Sequence, residues 1–242
     1  MEQNLQNIKI SGAGSAAGGR YDEVKISGAG EIKGDIECNF FKTSGASDVK
    51  GNVKANIIEI SGASDIKGNV ECEEMRTSGA SDIRGDVRAK RVKVSGASDV
   101  NGNLYAEEVE ISGASEVKGD CEAENFIAKG SFKIGGLLNA GNINIRIAGP
   151  CKAREIGGEH IEVKLGEIGG FISKIIKFVS YRECILTTEV IEGDNIYLEG
   201  TKAKVVRGNN ITIGKDCDIE LVEYKGELKV IDNGIVVSQN KL

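Results

Sequence analysis

The chain has 242 residues, a formal net charge of −6, 33 glycines, one proline, one histidine and no tryptophan. Mixed charge with a small acidic excess excludes the basic footprint of a nucleic-acid binder, and scarce aromatics leave little for base stacking. The opening MEQNLQNIKISG lacks an apolar signal core, and no run of about 18 apolar residues occurs, so a cytoplasmic chain with no membrane-spanning helix is expected.

After a short tail, residues 1–7, a Ser-Gly pair recurs. Pairs begin at Ser27, Ser44, Ser61, Ser78, Ser95 and Ser112, evenly spaced, and an earlier copy, Ser11-Gly12, stands one position closer to Ser27 than that spacing requires. The surrounding text repeats too, as TSGASDVKGNVKA, ISGASDIKGNVEC and TSGASDIRGDVRA. Self-similarity at a short fixed period marks stacked units that bury their apolar faces against one another. This regular array covers residues 8–126.

With the Ser of each pair as position 1, the unit closes at position 17. Position 6 reads Ile32, Val49, Ile66, Ile83, Val100 and Val117. Position 10 carries Ile36, Val53, Val70, Val87, Leu104 and Cys121, and position 15 carries Phe41, Ile58, Met75, Val92, Val109 and Phe126. Position 17 is mostly β-branched, and position 3 is alanine throughout, counted here among the inward columns. Apolar and polar residues alternate, which is strand periodicity. Gly-Asp or Gly-Asn at positions 8 and 9 fits a corner with unusual backbone angles, Ser-Gly supplies a second corner, and positions 12 to 14 a third. Three strands and three corners per repeat predict an all-β fold, a parallel β-solenoid. The hexad pattern of left-handed hexapeptide helices is absent, so a right-handed, three-sided β-helix is expected.

Residues 127–170 read as degenerate coils, with IAGPCKAREIGG at a longer spacing and EIGGEHIEVKL as a strand. Residues 171–190 form an amphipathic connector. Within it Phe171, Ile172, Lys174, Ile175, Ile176, Lys177 and Phe178 suit contact with a membrane surface or a partner, against the plainer reading of a segment packed on the solenoid. Solenoid text returns over residues 191–242, with Ile196, Leu198, Val205, Ile211, Ile213, Ile219 and Leu221 as inward candidates. Asn233-Gly234 reads as a hairpin turn that folds a cap over the last coil.

No catalytic, cofactor-binding or metal-binding residue stands out. The acidic column at position 5 (Glu31, Asp48, Asp65, Asp82, Asp99, Glu116) sits two residues from a basic one, so charge compensation is preferred to a cation ladder. Cys38 and Cys72 share one column with Ala55 between them, too far apart to bridge, and read as small apolar filler. A lone His160 beside Glu159 and Glu162 is read as exposed rather than as a base, and SGAGSAAGG lacks the ending of a phosphate loop.

The SGASDVKGNVKA repeats, followed by EIGGEHIEVK and by GDNIYLEGTKAKVVRGNNITIGKDCDIELVEY, resemble the bactofilin-type, polymer-forming cytoskeletal proteins of bacteria. The C-terminal block is similar to longer members from Gram-positive spore formers. The resemblance implies a right-handed β-helix that assembles end to end into filaments without nucleotide, with frequent membrane association. Family members often carry a disordered N-terminal tail that holds membrane, whereas MEQNLQN alone precedes the first strand-like residues here. Two readings follow. The first is a non-enzymatic scaffold that forms filaments or sheets through its terminal coils, alone or with a related paralogous chain, with peripheral membrane association and no nucleic acid. The alternative is a non-polymerising adaptor that binds a partner or membrane through its C-terminal region.

Overall fold

The computed structural model describes residues 5–166 and 184–242. The chain divides into two units, residues 1–119 and 120–242. The first holds β1 (Ile8–Ile10), β2 (Ala13–Ile26), β3 (Ala29–Thr43), β4 (Ala46–Val49), β5 (Val53–Ile60), β6 (Ala63–Ile66), β7 (Val70–Thr77), β8 (Ala80–Ile83), β9 (Val87–Val94), β10 (Ala97–Val100), β11 (Leu104–Ile111) and β12 (Ala114–Val117). The second holds β13 (Cys121–Ala128), β14 (Ser131–Ile147), β15 (Cys151–Leu165), β16 (Leu186–Leu198), β17 (Thr201–Ile213), β18 (Asp218–Val230) and β19 (Ile235–Lys241).

In the first unit each strand pairs in parallel with its equivalent one coil on. Ala46 lies opposite Ala63, Ala63 opposite Ala80, Ala80 opposite Ala97 and Ala97 opposite Ala114. The long strand of each coil turns the third corner. Between β5 and β7 the pairing runs from Val53↔Val70 to Ala55↔Cys72, skips one position and resumes at Ile57↔Glu74. Burial slips phase at the same place, from Val53 and Ala55 to Ile58 and Ile60. Each coil therefore has three sides, and the unit is a parallel β-solenoid with 17-residue coils. Phe41, Ile58, Met75, Val92 and Val109 stack down one fully enclosed column, each side chain contributing about 1.5–3 kcal/mol by burial.

Two details differ from expectation. The alanines at position 3 face outward, and the serines at position 4 take the inward place. Alternation from the buried position 6 requires this, because positions 4 and 6 share a face. Ser47, Ser64, Ser81 and Ser98 are at most 6 % exposed, and the hydroxyls remain bonded, Ser47 to Ser64 at 2.8 Å and Ser81 to Ser98 at 2.9 Å. The Gly-Asp/Asn corner also has a different cause. Of its glycines in this unit only Gly34 has a left-handed φ, +121°. Gly51, Gly68, Gly85 and Gly102 are there for space: a Cβ on any of them would collide with the corner of the preceding coil. The following Asp or Asn side chain accepts the next coil's backbone N–H, as Asp35 does from Asn52 (2.7 Å) and Asn52 from Asn69 (2.8 Å). That bond serves an amide which the corner takes out of the strand ladder.

The second unit is less regular. β14 and β15 pair with Phe132 opposite Cys151, a longer step than in the regular coils, and the register shifts between Ile134 and Leu137. β15 pairs directly with β16, with Val163 opposite Leu198, a step roughly double that of the regular coils. Successive coils then return to shorter offsets, as in Asn195↔Asn210 and Ile219↔Val236. Ile196, Leu198, Ile211, Ile213 and Ile219 point inward as expected. Val205 and Leu221 do not: the corner shifts the phase, and Val206 and Val222 are the fully buried residues. The Asn233-Gly234 hairpin is likewise replaced. Asp232 and Asn233 adopt φ of 51° and 62° in a tight turn, but β19 pairs in parallel with β18, so the turn leads into another partial coil.

Candidate functional site

The outward side chains of residues 5–119 form three differently charged sides. On the side carried by β4, β6, β8, β10 and β12, columns hold one sign. Asp48, Asp65, Asp82 and Asp99 lie in register, flanked by Glu31 and Glu116. Lys33, Lys50, Lys67 and Arg84 form the neighbouring basic column. Lys50 pairs with Asp48 and reaches Glu31 at 3.9 Å, Lys67 pairs with Asp65, and Lys33 approaches Glu31 at 3.7 Å. Glu31, Asp48 and Asp65 are thus compensated by a lysine of their own coil, as the sequence suggests. Asn101 breaks the basic column and donates to Asp82 at 3.1 Å. Burial, then Glu116 and Asp82, push the Asp99 carboxyl above the usual carboxylate range, against a smaller pull from Lys118.

Along the second side, charge alternates from coil to coil. Arg20, Glu37, Lys54, Glu71 and Arg88 stack in register. Arg20 pairs with Glu37 at 2.7 Å and Lys54 with Glu71 at 2.6 Å, while the Arg88 guanidinium lies 4.1 Å from the Tyr105 ring centre. On the third side Glu74, Arg91 and Glu108 alternate and Arg91 bonds Glu108 at 2.8 Å, whereas the neighbouring column sets Lys9, Lys25 and Lys42 in register and Arg76 opposite Lys93. Between these two sides the small column Cys38, Ala55, Cys72 floors a shallow groove of about 560 Å³.

All six cysteines are free. Burial pushes the thiols of Cys38, Cys72 and Cys121 up to about 12, and those of Cys151 and Cys217 to about 11. Little thiolate exists at neutral pH, so these five are unreactive fillers of the wall. In the second unit His160 lies in a column of amides, between Asn142 and Asn195 in register. Its ring is exposed and makes no side-chain hydrogen bond or ion pair among the described residues, whereas Asn142 donates to Asn125 at 3.1 Å and Asn210 to Asn195 at 3.0 Å. Among the described residues no group of three acidic, histidine or cysteine side chains is placed to hold a metal ion, and no helix is long and apolar enough to cross a membrane.

Sequence reasoning missed the end of the second unit. Val230, Ile231, Ile235, Val237 and Leu242, from the end of β18 to the residue after β19, are 40–72 % exposed. The outer edge of β19 has no paired strand among the described residues. The turn signal at Asn233-Gly234 hid this, because a hairpin would have covered it. The candidate contact residues Phe171, Ile172, Lys174, Ile175, Ile176, Lys177 and Phe178 lie outside the described residues.

Comparison with known proteins adds three findings. Residues 3–87 match the family described as bactofilin, polymer-forming cytoskeletal. The chain is 56 % identical over 239 residues to uncharacterized protein YhbE of Bacillus subtilis (strain 168), covering 98 % of this chain and 99 % of that one. It is 35 % identical over 107 residues to uncharacterized protein YhbF of the same strain, covering 44 % and 42 %. No solved structure matches. With the match falling on the repeats that build the first unit's coils, the chain belongs to the bactofilin family of polymer-forming cytoskeletal proteins.

Proposed function

We propose that this chain is a cytoplasmic scaffold that self-assembles end to end, without nucleotide, into filaments or sheets through its terminal coils. Its family and its solenoid fold are those of a structural protein rather than an enzyme. The observation that carries the reading is the open edge of β19. A strand edge exposes a row of backbone donors and acceptors, which pairs readily with another strand. Here the edge is bordered by Ile235, Val237 and Leu242, exposed to 57 %, 72 % and 57 %. Burying them against another chain adds an apolar gain to the backbone bonds, so assembly needs no energy input.

Negative-stain electron microscopy with sedimentation, in nucleotide-free buffer, tests this. Filaments or sheets are expected from the unaltered chain, and Ile235→Lys with Val237→Lys should leave folded, monodisperse particles. An unaltered chain that stays monodisperse at every salt concentration overturns the reading.

A second reading gives residues 171–178 a membrane or partner contact. It is supported by the sequence of that segment, where Phe171, Ile172, Ile175, Ile176 and Phe178 are interleaved with Lys174 and Lys177. Ile175→Glu with Ile176→Glu should then abolish co-sedimentation with anionic vesicles. The presence of two distinct relatives in one strain also supports a related chain as a co-assembling partner.

A further inference from the structure

On two sides of residues 5–119 columns of alternating charge predominate, with like-signed steps at Lys9, Lys25 and Lys42 and at Arg76 opposite Lys93, and the third side carries columns of one sign throughout. Equivalent residues of a parallel ladder repeat at about 4.8 Å, and like charges set directly opposite one another destabilise the pair. Stacking alone favours alternating signs. Arg20, Glu37, Lys54, Glu71 and Arg88 obey this, as do Glu74, Arg91 and Glu108. On the remaining side acid stands over acid from Asp48 to Asp99, beside a basic column from Lys33 to Arg84. Columns of one sign repel along the stack, an effect offset in part by the pairs of Lys50 with Asp48 and Lys67 with Asp65, and they present two complementary lines to something outside it.

Compensation within the chain is also incomplete. Arg84 and Asp99, on successive coils of this side, make no ion pair with any described residue. A cation and an anion with no direct ion pair therefore face outward near its middle, Asp99 feeling only the weaker pull of Lys118. The third outward column is alanine in every coil, so no bulky side chain holds a facing sheet away.

We propose that this side is a lateral self-association surface, on which a second copy of the chain lies with its coils running in the same direction and its acidic column over the basic column of the first. The proposal rests on the self-assembling reading above and adds the face and the orientation. A two-fold axis parallel to the stack exchanges the columns, so acid meets base on every coil. Turning the second copy end for end across the side leaves the columns unexchanged and sets acid against acid. A simple polyanion fits less well, because it would meet the acidic column only two residues from the basic one.

The side is roughly 13 Å by 24 Å, about 300 Å² per copy from strand rise and coil spacing. That is well below the ~800 Å² per partner of a stable interface. Pairing between isolated chains is therefore weak, and it strengthens when end-to-end assembly lines up many such sides at once. Being ionic, it is screened by salt.

The test mixes light and heavy-nitrogen full-length chain, assembles it, applies a zero-length carbodiimide cross-linker and seeks isotopically mixed peptides from this side. Mixed links are read between Glu31 and Lys33 and between Glu116 and Lys118, which the substitutions leave in place. The yield from the unaltered chain should fall roughly tenfold or more between about 20 mM and 1 M salt, where the Debye length drops to about 3 Å. Asp48→Lys, Asp65→Lys and Asp82→Lys together should abolish the links. Adding Lys50→Asp, Lys67→Asp and Arg84→Asp exchanges the columns and should restore them. Should that variant not fold, Asp65→Asn with Asp82→Asn lowers the yield in the same direction without added bulk. Links missing from the unaltered chain, surviving the triple substitution, failing to return in a folded exchanged variant, or unmoved by the Asn pair overturn the proposal. Micrographs separate the two readings. Single filaments without mixed links sink only the lateral surface, and mixed links without filaments sink only end-to-end assembly.

Discussion

At position 7 the regular coils carry Lys33, Lys50, Lys67, Arg84 and Lys118, with Asn101 the one neutral residue. Its effect falls on Asp99, whose carboxyl is raised by burial and by the acids above and below it. A group with a raised folded pKa holds its proton more tightly in the native state. The stability that Asp99 contributes is then fully present below the unfolded value near 3.9 and is lost as pH rises through the carboxylate range. Asn101→Lys restores a cation two residues away. The Asp99 midpoint, followed by carboxyl NMR, should move down, and the decline in melting temperature between about pH 3 and pH 6 should shrink. An unmoved midpoint would show that burial alone sets it. The acidic and basic columns were both readable from the sequence. The buried serine column was not, because Ala-Ser at positions 3 and 4 fits either phase until the strand's inward face is fixed by position 6.

Each coil's strands are set by residue alternation, and their closeness is set by glycine. In the Ser-Gly column a Cβ on Gly79 would overlap the Gly62 carbonyl oxygen and crowd that of Ser61, both backbone atoms that cannot swing away. Gly12 belongs to the first coil and a Cβ there would meet nothing within 4 Å. Gly79→Ala should cost about 1–3 kcal/mol or more, as overpacking does, while Gly12→Ala should be near neutral. Urea denaturation compares the two. Equal losses would mean that the column is selected by backbone angle rather than by the coil beneath. The sequence placed these glycines at corners and assigned the Gly-Asp/Asn set to unusual angles. Periodicity gives the corner, but only the stacked neighbour reveals the missing room. For the same reason Val205 and Leu221 were assigned inward in place of Val206 and Val222. A corner that slips the alternation by one residue leaves no mark in a run of adjacent apolar residues.

Across the whole chain, the repeat made the fold class readable, and the C-terminal end was where reading failed. A solenoid's interior coils are each covered above and below, whereas a terminal coil has one open face, and nothing in its own sequence says what covers it. Asn233-Gly234 carried a valid turn signal, yet the strand after it runs parallel to β18. The assembly reading therefore has a consequence in amide exchange. Unpaired edge amides exchange readily, while amides inside a ladder exchange only through opening. In the folded, non-assembling Ile235→Lys, Val237→Lys variant, the amides of β19 that point away from β18 should exchange fastest among the C-terminal strands. In filaments of the unaltered chain these amides should become protected, while those of β16 and β17, already paired on both sides, should change little. Filaments in which β19 stays unprotected would mean that chains meet through another surface, and the exposed apolar residues around β19 would then have to be assigned to a different partner.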